Sequence, residues 1–350
     1  MALEIISHVA FLTQSSLKSP TRASWGVAML PIIGTIGLFR HRIFAMRVPS
    51  QVRILALEVL HLNIMLPFRK ILFPVDFSEP CLAIVPYVKE MIRHFSAELT
   101  LVHAYGPEAL AYSELAITNP ELPEEVRVFA EQRLRKFALD NFPGKHVETF
   151  AKLGEAGTVV HTVVQHQGTD LVMLATHGYG PIRRFLLGSV TTKILHDVSA
   201  AVWTGTGSAF ADHAPQIPYK SVLCALDYSD EAEGVLRSAA AFACSYQAQL
   251  WLVQTVEIPS PTLDIDFTPY RKVLMDAADF RLRELKGRLG INAPHVVLDA
   301  PVEEAIHQEA VRRHADLIMT GRGHALTTFS RMWSNLYPIV RESPCPVLSI

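Results

Sequence analysis

The residues best suited to chemistry in this chain are a glycine and a serine at the start of a predicted helix. Gly188 and Ser189 directly precede residues 190–198, whose apolar spacing predicts a helix. The first amide groups of a helix have no partner within it and lie at the positive end of the helix dipole, so such a start favours an anion, typically a phosphate. The Ser189 hydroxyl adds one more donor. The same pair is also consistent with an ordinary helix cap that holds no ligand.

The loop before this helix contains further candidates. It follows a predicted strand at residues 170–175 and includes His177 and Gly178, and a glycine permits the close approach of a ligand to the backbone. His177 is either an exposed loop residue or a phosphate contact. Arg183 and Arg184 are either solvated surface charges or phosphate clamps.

A carboxylate follows another predicted strand. Asp76 comes directly after residues 70–75 and just before a helix that begins near Pro80. It either stabilises the positive end of that helix or contacts a ligand. Ligands of open parallel sheets bind beyond the carboxyl ends of the strands, which is where both Asp76 and Gly188 are expected.

The segments that must position these residues occur twice. Residues 71–79 (ILFPVDFSE) match residues 222–230 (VLCALDYSD), and residues 98–104 (ELTLVHA) match residues 249–255 (QLWLVQT) at the same offset. Near the end of each unit, Asp170-Leu-Val-Met matches Asp316-Leu-Ile-Met. The repeat predicts two homologous domains in tandem.

Each copy alternates short apolar strands with longer helical segments. This pattern predicts an α/β fold of two tandem doubly wound domains, each with a five-stranded, mainly parallel sheet covered by helices on both faces. Because the strands are apolar nearly throughout, both faces should be covered. The last strands, predicted at residues 200–204 and 346–350, are expected at sheet edges, where an apolar edge invites pairing either within the chain or between two chains.

The first 65 residues are a different kind of sequence. They contain six Lys or Arg against two Glu, a net charge of +4, whereas the whole chain has a net charge of −2. Residues 25–39 are an uncharged run that is too short for an ordinary membrane span and is interrupted by Pro31, so a peripheral membrane contact is one reading. The other reading is an extension outside the fold, which makes residues 1–64 dispensable.

Composition excludes several classes of protein. Hydrophobic residues make up 49% and charged residues 19% of 350 residues, which excludes disordered and collagenous chains. The small net charge provides no global field for nucleic acid. The four cysteines, in no metal-binding spacing, predict buried free thiols and a cytoplasmic protein.

Residues 66–206 resemble a universal stress protein domain, and residues 218–350 resemble a second one, with a linker at 207–217. Nucleotide-binding members of that family carry Gly-x-x-Gly, nine residues and then Gly-Ser or Gly-Thr. This chain has Ala175, Gly178, nine residues and then Gly188-Ser189, so alanine replaces the first glycine.

The resemblance implies an adenine nucleotide alpha hydrolase-like, Rossmann-like fold and gives roles to individual residues. Asp76 corresponds to the acid near the adenosine, and Ala104 corresponds to the residue whose backbone contacts the adenine edge. The ribose and phosphates would be lined by the glycine loop and the helix start: Ala175, His177, Gly178, Gly188, Ser189 and Val190.

The second copy departs from the motif. Asp227 is kept in the place of Asp76, but Trp333 stands in the place of Gly188 and is followed by Ser334. An indole at this position would block the approach of a phosphate to the backbone. We therefore expect the second copy to have lost nucleotide binding.

The resemblance thus implies a stress-response regulator or sensor that binds ATP or a related adenine nucleotide, with Mg²⁺ as a companion ion. The alternative is a scaffold that binds no nucleotide and acts through dimerisation and protein contacts. The chain contains no P-loop, Gly-x-Ser-x-Gly or HExxH motif, so no catalytic residue is assigned, and slow ATP hydrolysis near Asp76 is left open.

Overall fold

The computed structural model describes residues 66–106, 122–176, 187–205, 216–256, 268–322 and 331–350. The extension at residues 1–65 and much of the glycine loop lie outside this set. The first copy contains five strands and five helices in the described residues: β1 Lys70–Pro74, α1 Glu79–Ala83, α2 Val85–Phe95, β2 Glu98–Tyr105, α3 Leu122–Asn141, β3 Val147–Leu153, α4 Ala156–Gln167, β4 Leu171–Ala175, α5 Ser189–Asp197 and β5 Ala201–Gly205.

The second copy repeats this order with one helix after its first strand instead of two. Its described elements are β6 Ser221–Leu226, α6 Ala232–Tyr246, β7 Gln249–Thr255, α7 Thr268–Leu289, β8 His295–Leu298, α8 Val302–Arg312, β9 Leu317–Thr320, α9 Arg331–Glu342 and β10 Val347–Ser349. The strands predicted at residues 70–75, 170–175, 200–204 and 346–350 are each present within one residue of those bounds.

The ten strands form one sheet in the order β3-β2-β1-β4-β5-β10-β9-β6-β7-β8. All neighbouring strands within each copy are parallel. Two apolar cores lie on the two faces of the sheet, one packed mainly by α2, α3 and α6 and the other mainly by α4, α5 and α9. The predicted doubly wound α/β fold, present twice, is confirmed.

The last strands of the two copies meet in the middle of the ten-stranded sheet. β5 and β10 pair antiparallel, with Val202 opposite Ser349 and Thr204 opposite Val347. Each is the edge strand of its own copy's five strands, as predicted, and the two apolar edges pair with each other. The pairing therefore occurs within one chain, as a pseudo-dimer, and the edges of the sheet are β3 and β8.

The first helical segment of the first copy differs from the prediction of a single helix that begins near Pro80. The structure has two helices that meet at Ile84, with Pro86 in the first turn of the second one. A proline has no amide hydrogen and restricts the residue before it, so the first helix ends ahead of Pro86. The equivalent α6 has no proline and is continuous over fifteen residues.

Among the described helices, none combines the length and apolar character needed to cross a membrane. The uncharged run at residues 25–39 lies outside the described residues. The four cysteines are free thiols, and three of them are buried while Cys244 is half-buried, which corrects the expectation that all are buried.

Candidate functional site

The predicted site residues meet at the point where the strand order reverses. β1 lies between β2 and β4, so the chain moves outward in one direction from β1 to β2 and returns to the other side at β4. Ligands of doubly wound sheets bind at such a switch point, beyond the carboxyl ends of the strands. Asp76 follows β1, Ala104 lies near the end of β2, and Ala175 ends β4. The structure thus places these three residues together at the carboxyl ends of the central strands.

Asp76 is exposed, and its carboxylate organises the turn after β1. Its Oδ1 accepts hydrogen bonds from the backbone amide of Ser78 at 2.9 Å and from the Ser78 hydroxyl at 2.7 Å. The Ser78 Oγ in turn accepts from the amide of Cys81 as the N-cap of α1. Asp76 therefore has a structural role at the helix start, and its exposure leaves the carboxylate open to solvent on the ligand side of the sheet.

Gly188 brings the start of α5 onto the end of β4. Its amide donates to the carbonyl of Thr176 at 3.0 Å, and the Thr191 hydroxyl donates to the carbonyl of Ala175 at 3.2 Å. A Cβ at position 188 would lie 3.3 Å from the Thr176 carbonyl oxygen, tighter than most contacts of this kind. A larger residue at position 188 would therefore fit only if the Thr176 carbonyl moved by a few tenths of an ångström.

The start of α5 presents backbone donors. The first intrahelical bond runs from the Thr192 amide to the Gly188 carbonyl, so the amides of Ser189, Val190 and Thr191 precede it. Gly188 occupies the N-cap position and supplies no side-chain cap. Ser189 is exposed, whereas Val190 packs partly against the apolar core and anchors this turn. Of the predicted ligand contacts, His177 and Gly178 lie outside the described residues.

The structure adds a cluster beside Asp76 that the sequence analysis did not identify. Phe77 has a left-handed backbone with a φ of 61°, and its ring lies 4.6 Å from the ring of His103. The guanidinium of Arg133, on α3, lies 4.0 Å from the centre of the same ring. Phe137 contacts Phe77 edge-on from one turn further along α3. In the repeat, Phe77 and His103 correspond to Tyr228 and Gln254. That correspondence is the only sequence feature that links the two residues.

His103 joins the ends of β1 and β2. Its Nδ1 lies 2.7 Å from the carbonyl oxygen of Val75, and because a carbonyl only accepts, Nδ1 carries the proton. Burial of the ring lowers the pKa of His103 below its usual value, and this outweighs the bond to Val75, which raises it. The pKa is lowered further by Arg133 and raised by Asp76. His103 is thus neutral at pH 7, and its bond to Val75 fixes the ring at the ends of β1 and β2.

The second copy keeps part of this arrangement. Asp227 Oδ1 accepts from the amide and hydroxyl of Ser229, at 3.1 and 2.7 Å, as Asp76 does with Ser78. Gln254 replaces His103 and donates through Nε2 to the carbonyl of Asp227. The guanidinium of Arg281 lies 5.6 Å from the Tyr228 ring, looser than the Arg133 contact.

The helix start differs between the copies. α5 begins at Ser189, whereas α9 begins at Arg331, so Trp333 lies inside a helix and not at a cap. The equivalent of Gly188 therefore has helical backbone in the second copy. The two copies share the turn after the first strand. They differ at the start of the last helix, where the first copy has the amides of residues 189–191.

Comparison with known proteins agrees with the architecture. The model of the universal stress protein family matches residues 67–204 and again residues 218–350. The chain belongs to the universal stress protein family. A universal stress protein of Staphylococcus aureus strain USA300 is 27% identical over 157 residues, which is 44% of this chain and 93% of that protein.

Two solved universal stress proteins share the fold over most of this chain. The crystal structure of one from Archaeoglobus fulgidus superposes with a TM-score of 0.58 at 19% identity and covers 80% of this chain and 95% of that chain. One from Pseudomonas aeruginosa UCBPP-PA14 has a TM-score of 0.55 at 16% identity and covers 82% of this chain and 94% of that chain. At these identities, the likeness supports the fold alone.

Proposed function

We propose that the first copy of this universal stress protein binds ATP or a related adenine nucleotide and that the chain acts as a stress-response regulator. The observation that carries the proposal is the start of α5, where three backbone amides and the Ser189 hydroxyl lie at the switch point of the sheet. Donors at the positive end of a helix dipole suit a phosphate group.

The other parts of the site fit the rest of a nucleotide. Ala104 lies at the end of β2, on the far side of β1 from α5, so a ligand that spans the switch point would reach both elements. The small side chain of Ala104 would leave room for the edge of a base. Asp76 lies between the two, at the end of the central strand.

The donor set also fits a magnesium ion carried by the nucleotide. Mg²⁺ prefers oxygen ligands and is commonly held by one or two carboxylates together with substrate phosphates. Asp76 is an exposed carboxylate at the same edge as the α5 amides. Asp76 would hold the ion, and the ion when bound would neutralise phosphate charge.

Direct binding measurements test this proposal. The purified full-length chain is titrated with ATP in a calorimeter, with and without Mg²⁺, and the freshly purified protein is denatured and its supernatant is chromatographed for released nucleotide. We expect saturable binding of ATP, weaker binding of GTP, and co-purified adenine nucleotide. Absence of both heat and released nucleotide would contradict the proposal and favour a scaffold that works through protein contacts.

A further inference from the structure

The second copy contacts both ends of the helix that carries the proposed phosphate site. Ahead of α5, the backbone amide of Leu187 donates to the hydroxyl oxygen of Tyr337, on α9, at 3.1 Å. Beyond α5, the guanidinium of Arg322 donates to the carbonyls of Val198 at 2.8 Å and Ala200 at 2.6 Å. α5 is thus held at its two ends by side chains of the other copy.

Both contacts are asymmetric, since in each the side chain belongs to the second copy and the backbone group to the first. The position of Tyr337 corresponds to Thr192 of the first copy, whose hydroxyl bonds within its own helix to the carbonyl of Gly188. The position of Arg322 corresponds to Thr176, because their amides make equivalent bonds to the carbonyls of Ile350 and Gly205. The Thr176 hydroxyl donates to the carbonyl of Gly205, in its own copy. The second copy therefore carries the long side chains that cross to the first.

Each contact acts on a group that determines the electrostatics of α5. Val198 is the C-cap of the helix, and a cation beside the last carbonyls complements the negative end of the dipole. Burial lowers the pKa of Arg322 to about 10, so the guanidinium remains charged at neutral pH. At the other end, Leu187 is buried and directly precedes Gly188. The bond to Tyr337 therefore fixes the direction of the chain as it enters the row of phosphate-binding amides.

We propose that Tyr337 and Arg322 are positioning residues through which the second copy holds α5 and sets the affinity of the first copy for phosphate-bearing ligands. The inference rests on the proposed nucleotide site. It gives the second copy, whose own helix start differs, a role in the binding performed by the first.

The test compares two ligands that differ only in their phosphates. Tyr337→Phe removes the acceptor of the Leu187 bond and keeps the ring, and calorimetry measures binding of ATP and of adenosine to the full-length variant. Loss of one hydrogen bond predicts about 2- to 10-fold weaker ATP binding and unchanged adenosine binding. Tyr270→Phe, at an exposed position on α7, is the matched control and should change neither.

A second set of measurements uses substitutions of Arg322 and hydrogen exchange of the backbone amides near α5. Arg322→Met should weaken ATP binding more than Arg322→Lys, which keeps a positive charge near the Val198 carbonyl. Amide hydrogen exchange of the unliganded protein should be faster at residues 187–190 in Tyr337→Phe than in the wild type. Equal losses for ATP and adenosine, or unchanged exchange at residues 187–190, would overturn the positioning role.

The two proposals fail in different ways. If the wild type bound no ATP, the nucleotide proposal would be wrong, and inorganic pyrophosphate would replace ATP in the same series of variants. Weaker pyrophosphate binding by Tyr337→Phe would then support the positioning role on its own. A wild type that bound neither ATP nor pyrophosphate would overturn both proposals.

Discussion

His94 and Ser245 occupy equivalent positions in the two copies, and their side chains are hydrogen-bonded to each other, with Nε2 3.0 Å from Oγ. The Ser245 hydroxyl donates its hydrogen to the carbonyl of Phe242, so His94 is the donor in the bond to Ser245. The His94 ring also stacks on Tyr246, with ring centres 3.6 Å apart and planes inclined by 11°. Equivalent residues that meet each other mark the pseudo-two-fold axis, where α2 packs against α6.

Acidification should weaken the packing around His94. Burial lowers the pKa of His94 below the usual value for histidine, so the unfolded chain takes up a proton at this residue more readily than the folded chain does. The contribution of neutral His94 to stability is therefore fully present above about pH 6.5 and is lost as the pH falls through the folded pKa. We expect the free energy of unfolding to fall less between pH 7.5 and pH 5 in His94→Gln than in the wild type.

Urea denaturation at both pH values measures this difference. His166→Gln is the matched control because His166 is exposed at the end of α4. That variant should show the same pH dependence as the wild type. An unchanged pH dependence in His94→Gln would mean that His94 does not couple protonation to folding.

The repeat makes the strands predictable, but not their order in the sheet or the contacts between the copies. Each strand is an apolar run of a length that parallel strands require, so Ile71–Val75 and Val222–Leu226 were recognised without a structure. The partners of Tyr337 and Arg322 depend on how β5 and β10 pair across the pseudo-two-fold axis. No local pattern encodes that pairing, because the same strands could have joined two chains.

The proposed phosphate site is predictable in outline because its chemistry would come from the backbone. Glycine followed by serine at a helix start is a local signal, and Gly188 and Ser189 lie where the spacing indicated. The ring cluster of Phe77, His103 and Arg133 was not predictable, since it brings together three separate elements. The left-handed backbone of Phe77 has no signature in its residue type.

A bulky side chain at position 188 should abolish ATP binding by the first copy. A Cβ there would already lie 3.3 Å from the Thr176 carbonyl oxygen, and the indole of Gly188→Trp would crowd the amides at the start of α5. We expect at least about a 100-fold loss of affinity, since loss of two or more charge-assisted hydrogen bonds amounts to about 3 kcal/mol. Calorimetry measures the loss, and circular dichroism should show an intact fold. Gly287→Trp, at an open and exposed position on α7, should bind ATP as the wild type does.

The paired aspartates separate the structural role of Asp76 from its proposed ligand role. Asp76→Ala and Asp227→Ala each remove an acceptor for a serine amide and hydroxyl, so each should destabilise the chain by about 1 kcal/mol. Only Asp76→Ala should also weaken binding of ATP with Mg²⁺. Equal ATP affinity in the two variants would leave Asp76 with a structural role alone.

The junction of the two copies contains a matched pair of buried hydroxyl bonds. Thr204 donates to the Val347 carbonyl at 3.2 Å, and Ser349 donates to the Val202 carbonyl at 3.1 Å. The two bonds are equivalent under the repeat, so Thr204→Val and Ser349→Ala should each lower the free energy of unfolding by about 1 kcal/mol. Chemical denaturation measures both values. If only one variant were destabilised, the two halves of the junction would not be energetically equivalent.

Thiol labelling should distinguish Cys244 from the other three cysteines. Burial raises the pKa of Cys81 and of Cys345 to about 12 and also raises that of the fully buried Cys224, so these thiols are both inaccessible and protonated at neutral pH. The pKa of half-buried Cys244 is also raised by burial, which makes it slow to react but leaves it reachable. We expect mass spectrometry of the native full-length chain after alkylation at pH 8 to show one slow modification, and Cys244→Ser should remove it. Rapid modification of several cysteines in the folded protein would contradict the burial of the sheet and of α1.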